Sequence, residues 1–211
     1  MNANVLSMTI PAISAGRISA EEFQSHSGIA GRTVADSVIE FLLSQGIGRA
    51  DGKTIEFAAT DRLKTAMLCM RLGIDAEQVS RHLHWHDFEM LASEALRAFG
   101  YRVQTNVRFT KPRMEIDVIG IDGDFSLSID CKHWKKSSRS SLLPYAKKQV
   151  RRASEFARRN NVHSVPVLLT LHAGDVRFID RVPVVPVSQF GSFVTEVKGF
   201  LGEIAVVSPS S

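Results

Sequence analysis

The sequence predicts an α/β protein in which a small helical region precedes a larger mixed domain. Three observations predict it. Apolar residues recur at helical spacing as far as Gly73, the pattern changes to strand-like alternation between Val103 and Cys131, and helical periodicity returns in a basic segment from about Tyr145 to Arg159. A chain of 211 residues holds one large domain or two small ones. The change of pattern divides it at 1–75 and 76–211.

In the first part, Ser19 followed by Glu22 is a capping-box pattern. Thr33 is expected to cap a helix carrying Val34, Val38, Ile39, Leu42 and Leu43, with Gly46 as its stop. Gly48 to Lys53 is a turn signal, Thr54 to Ala58 a short strand, and Asp61 to Leu72 a further helix with Leu63, Met67 and Met70 as its stripe. Helices followed by a small basic hairpin match a winged helix, a DNA-binding module; a helical cap that packs or dimerises fits the same pattern.

In the second part, helices are expected from Asp75 to Leu83 and from about Trp85 to Phe99, the latter closed by Gly100. Strands follow over Val103–Thr110, Met114–Ile121 and Phe125–Cys131, the last two joined by the hairpin signal Asp122-Gly123-Asp124. After the basic helix, Val165–Leu171 and Val176–Val187 supply strand material, and Val187 to Leu201 ends in a helix. The order is helix, three strands, helix, strand.

Composition narrows the class. No apolar run approaches the ~20 residues that cross a bilayer, and Met1 to Ser14 lacks the charged start and apolar block of a signal peptide. The two cysteines, Cys69 and Cys131, form no CxxC pair, so a disulfide framework is not expected and a cytoplasmic setting is. The net charge of +4 is unevenly placed: between Lys132 and Arg159, ten basic residues face one acid, Glu155. Such a cluster is either a footprint for nucleic acid or a solvated helix face.

The third strand sets Phe125, Leu127, Ile129 and Cys131 on one side and Ser126, Ser128, Asp130 and Lys132 on the other. Pairing through the Asp122–Asp124 turn brings Asp117 beside Asp130 on that second face. Two carboxylates held close repel unless a cation sits between them, and hard oxygen donors suit magnesium, with manganese as a substitute. A lysine beside them stabilises charge or helps activate a water.

The strings Glu115-Ile116-Asp117-Val118-Ile119-Gly120 and Ile129-Asp130-Cys131-Lys132-His133-Trp134 resemble the PD-(D/E)XK, or restriction-endonuclease-like, nucleases. The likeness is nearest to Mrr-type restriction endonucleases and archaeal Holliday-junction resolvases, and it covers about Trp85 to Leu171. It implies a restriction-endonuclease-like core and a Mg2+-dependent endodeoxyribonuclease. On matching positions, Asp117 is the first motif aspartate, Asp130 the second acidic ligand and Lys132 the motif lysine. Glu89, on the helix before the first strand, matches a glutamate that joins the metal shell, and the carbonyl of Cys131 matches one that binds the metal. The chain departs from the motif name in carrying Ile116 where proline stands, and aspartate at 130 where glutamate is commoner.

Lys147, Lys148, Arg151, Arg152, Arg158 and Arg159 recur as one basic face opposite Val150, Ala153 and Ala157. Such a face lays cations along a phosphate backbone, and Lys135 and Lys136 begin a loop flanking it. Gln149 and Tyr145 stand where related enzymes carry a polar helper. A homodimer is expected because cutting two strands takes two active sites. His82 and His86 share a helical face, but ordinary packing is the better reading for them than zinc. The alternative function is a non-catalytic DNA-binding protein that uses the winged helix and the basic helix.

Overall fold

Alternation over Phe125–Cys131 becomes the interior of a six-stranded sheet in the computed structural model, which describes residues 1–75, 78–79, 81–132, 138–171 and 174–210. The chain forms two compact units, Met1–Asp87 and Phe88–Ser211.

In the first unit, α1 (Ala3–Met8) and a 3-10 turn at Ile10–Ala12 precede β1 (Gly16–Ser19), α2 (Ala20–Ser27), α3 (Arg32–Ser44), β2 (Arg49–Asp51), β3 (Thr54–Phe57) and α4 (Asp61–Arg71). Ser19 caps α2 in the expected capping box with Glu22. The cap of α3 is Gly31, two residues before the expected Thr33. Strand β1 was not expected: it forms through pairing with β3, giving an antiparallel sheet of order β1-β3-β2. Gly48 adopts φ 77° and approaches Phe57 so closely that an added Cβ would stand 2.8 Å from its ring. The helix expected over Asp75–Leu83 includes residues 76, 77 and 80, which lie outside the described residues.

Helix α5 (Trp85–Ala98) contains the division between units. Then come β4 (Arg102–Thr110), β5 (Arg113–Asp122), β6 (Phe125–Lys132), α6 (Arg139–Asn160), β7 (His163–Thr170), β8 (Phe178–Ile179), β9 (Val182–Pro186) and α7 (Phe190–Glu196). The order of the sheet is β4-β5-β6-β7-β9-β8, with β5–β6 antiparallel and β6–β7 parallel. Tertiary pairing thus places β6 in mid-sheet, where its residues from Phe125 to Cys131 are buried on both faces. Helix α6 begins six residues earlier than the periodicity indicates. Ser138 caps it in a box with Ser141, and it runs through Pro144, a residue that ordinarily ends or kinks a helix.

The two faces of the sheet are distinguishable on β5. At Gly120 an added Cβ would stand 2.8 Å from Leu96 of α5 and 3.1 Å from Tyr101, so close helix packing excludes a larger side chain there. Ile119 and Ile121 instead share a core cluster with Phe156 of α6. Alternation therefore puts Asp117 on the α6 face, with Ile119 and Ile121. Among the described residues no helix is long and apolar enough to cross a membrane.

Candidate functional site

Antiparallel register pairs Val118 with Ile129, so the next step along the two strands brings Asp117 opposite Asp130. The backbone N–H of Cys131 donates to Asp117 Oδ2 at 2.7 Å, fixing the carboxylate across the strand gap. Asp130 is almost completely buried, at 1% exposure. Two cations meet it: Arg152 Nη1 lies 2.7 Å from Oδ1, and Lys132 Nζ lies 2.8 Å from Oδ2. The Lys132 contact is one of charge, without the angles of a hydrogen bond, so Oδ2 is a buried acceptor with no hydrogen-bond partner. Lys132 also stands 5.4 Å from the centre of the Tyr145 ring, a cation–π arrangement.

The electrostatics follow from this crowding. Burial pushes the Asp117 carboxyl above its ordinary value, and repulsion by Asp130 pushes it further. The Cys131 N–H, Lys132 and Arg152 act in the opposite sense. Burial also drives the Cys131 thiol well upward, aided by the charges of Asp117, Asp130 and Glu89. Glu89 is buried on α5, and its charge is felt at that thiol. The carboxylates brought together are Asp117 and Asp130; among the described residues no three His, Cys, Asp or Glu side chains group as a metal cage.

The basic face of α6 needs one correction. Lys147, Lys148 and Arg151 are exposed as expected, but Arg152 points inward, with its side chain 11% exposed and bound to Asp130. The reason is tertiary: a carboxylate buried in mid-sheet demands a counter-charge, and Arg152 lies within reach. Gln149 is fully buried as well, donating to the Ser128 carbonyl at 2.8 Å and accepting from Arg152 at 3.3 Å. A signal was present in the sequence, because Arg152 falls three residues after Gln149 and four before Phe156, within the stripe that packs on the sheet. Lys135 and Lys136 lie outside the described residues, as do His133 and Trp134.

Arg108 and Arg113 carry no signal in the sequence that marks them as functional. With Glu115, Lys148 and Arg152 they line a cleft of about 670 Å³ at the β4–β5 hairpin. Arg159 ties that hairpin to α6, donating from Nη2 to the Lys111 carbonyl at 2.6 Å.

Fold and site together define a mixed α/β protein with a carboxylate pair, Asp130 buried and Asp117 half-buried, matched by a lysine and an arginine. No family model matches the chain, and no curated protein does. Among solved structures, the crystal structure of protein VC1899 from Vibrio cholerae is similar over 95% of this chain and 53% of that one, at 11% identity and a TM-score of 0.40. The chain thus spans about half the length of that protein.

Proposed function

We propose that the protein is a Mg2+-dependent endonuclease that hydrolyses DNA phosphodiester bonds on a restriction-endonuclease-like core. The observation that carries the reading is the pairing of Asp117 with Asp130 beside Lys132, in a setting that raises the Asp117 carboxyl. The helix, three strands, helix, strand order of the second unit supports the choice of core.

The residues fit a divalent ion. Asp130 Oδ2 is a buried carboxylate oxygen that meets Lys132 at 2.8 Å without hydrogen-bond geometry, so its lone pairs are incompletely used, and repulsion within the pair would be relieved by a cation. Asp117, Asp130 and the Cys131 carbonyl would hold magnesium; Glu89, on the helix that packs against the other face of the sheet, acts on the site through its charge. Bound there, the ion supplies charge stabilisation at the scissile phosphate. Lys132, as a cation beside the pair, orients the attacking water and stabilises the negative charge that develops on it. Lys147, Lys148 and Arg151 hold the phosphate backbone.

For the first unit we propose a winged-helix-like arrangement, supported by the order β1, α2, α3 and the β2–β3 hairpin. Three of its exposed cations are paired, Arg32 with Asp36 at 3.1 Å, Arg49 with Glu56 at 2.7 Å and Arg17 with Asp51 at 2.9 Å, whereas Lys53 in the hairpin turn is exposed. Phosphate contact and a role in packing or dimerisation both fit this surface.

One observation favours the second reading, a non-catalytic DNA-binding protein: Lys132 and Arg152 already supply two positive charges to Asp130. A plasmid-nicking assay with and without magnesium, beside DNA binding in EDTA, separates the two. Nicking that requires magnesium and disappears in Asp130→Ala and Lys132→Ala supports the nuclease. Binding without nicking supports the alternative.

A further inference from the structure

Arg152 belongs to two places at once. It bonds Asp130 Oδ1 at 2.7 Å, and it lines the cleft with Arg108, Arg113 and Lys148 around the one lining carboxylate, Glu115. Neither Asp117 nor Asp130 lines that cleft; Arg152 is the side chain that joins it to the pair. Arg113, Glu115 and Asp117 alternate along β5 and so share one face, with about 7 Å between Glu115 and Asp117 along the strand. Lys148 and Arg152, four residues apart, form the wall on α6.

The Arg152 guanidinium is incompletely satisfied. Its Nη1 serves Asp130 and Gln149, whereas its Nε is buried and has no hydrogen-bond partner. A buried donor without an acceptor is unfavourable, and phosphate oxygens are acceptors that match the guanidinium fork. Arg108 is free to join: its partner Glu115 lies 3.4 Å away, and both side chains are well exposed, so the pair is weak.

We propose that Arg152 is a latch coupling a phosphodiester backbone in this cleft to cation binding at Asp117 and Asp130. The proposal rests on the nuclease reading and adds a residue and a subsite to it. With the cleft empty, Arg152 neutralises Asp130 and occupies Oδ1, which lowers affinity for a divalent ion. A phosphate entering between Arg113, Lys148 and Arg152 competes for the guanidinium and frees the carboxylate. Each ligand then strengthens the other's binding by the same factor. Arg152 is a positioning residue in this scheme, acting on Asp130.

The test has a metal arm and a nucleic-acid arm, with folding of every variant checked by circular dichroism. In the metal arm, Mn2+ binding is followed by electron paramagnetic resonance without nucleic acid. Arg152→Gln should bind Mn2+ about tenfold more tightly than wild type, within the usual range of coupling, and Arg152→Lys should stay near wild type. Equal or weaker binding by Arg152→Gln overturns the latch.

In the nucleic-acid arm, affinities for duplex DNA, single-stranded DNA and RNA of one sequence are measured in EDTA. Asp130→Asn should tighten binding about tenfold by releasing Arg152, and the gain should vanish in Asp130→Asn/Arg152→Gln. The substrate that shows this dependence identifies the backbone. A gain that survives without Arg152, on all three substrates, overturns the latch alone; wild type that binds none of them overturns the nuclease reading with it. Should Arg152→Gln fail to fold, Arg113→Gln/Lys148→Gln at exposed positions decides. A tenfold loss of nucleic-acid affinity supports the subsite, and unchanged affinity overturns it.

Discussion

Replacing Arg152 by methionine should destabilise the second unit more than any substitution on the exposed face of α6. Asp130 is 1% exposed, and the change removes a 2.7 Å ion pair while leaving the carboxylate in place. Breaking a buried pair from one side costs about 3–5 kcal/mol. Lys132 remains 2.8 Å from Oδ2, which puts the expected loss at the lower end, about 3 kcal/mol. With a urea m-value of about 2 kcal/mol/M, the midpoint should fall by roughly 1.5 M. Adding Asp130→Asn removes the stranded charge and should return a large part of the loss, since removing both partners costs less than removing one. Urea titrations of wild type, both single variants and the double variant, followed by circular dichroism, form the cycle. An Arg152→Met midpoint within 0.2 M of wild type, or a double variant no better than the single, would refute the argument that Arg152 is the counter-charge of Asp130; the 0.2 M bound is about 0.4 kcal/mol at that slope.

Other consequences are independent of that cycle. The Asp117 carboxyl is raised by burial and by Asp130, so the folded protein holds this proton more tightly than the unfolded chain. Its contribution to stability is therefore present below the ordinary aspartate value and lost as pH rises through the raised value. Asp117→Asn should flatten that decline and stabilise the metal-free protein at neutral pH, as chemical denaturation across a pH series will show. Gly120→Ala should lower stability by about 1–3 kcal/mol, because the new methyl meets Leu96 at 2.8 Å; thermal denaturation measures it. Burial holds the Cys69 thiol at about 11 and Cys131 well above its ordinary value. Both should resist iodoacetamide in the folded protein and react after unfolding, as mass spectrometry can follow. Lys147→Ala/Lys148→Ala should reduce the salt dependence of DNA binding by up to about two units of log–log slope; an unchanged slope would return α6 to a solvated face.

Much of the second unit was legible because its signals are local. A turn at Asp122-Gly123-Asp124 and alternation on either side fix β5, β6 and their register, and register alone carries Asp117 to Asp130. The capping box at Ser19 was equally local, needing only residues three apart. Strand β1 was not legible, because Gly16–Ser19 is extended only through pairing with β3, some forty residues away. Nor was the path of α6 through Pro144 legible, since packing on the sheet overrides a residue that ordinarily ends a helix.

Charge made the same division. The sequence by itself determined that cations gather on α6 and that Asp130 and Lys132 share a strand face. Tertiary structure decided which cations face solvent. β6 lies in mid-sheet and α6 packs over the face that carries Asp130, so the carboxylate is cut off from water, and an ion in that position costs too much without a partner. Arg152 is therefore drawn out of the basic face and into the sheet, whereas Lys148, one turn earlier, stays at the rim of the cleft. Helical periodicity records which side of a helix is apolar. It does not record which of two neighbouring cations has a buried carboxylate within reach, because that depends on a strand contact 22 residues away.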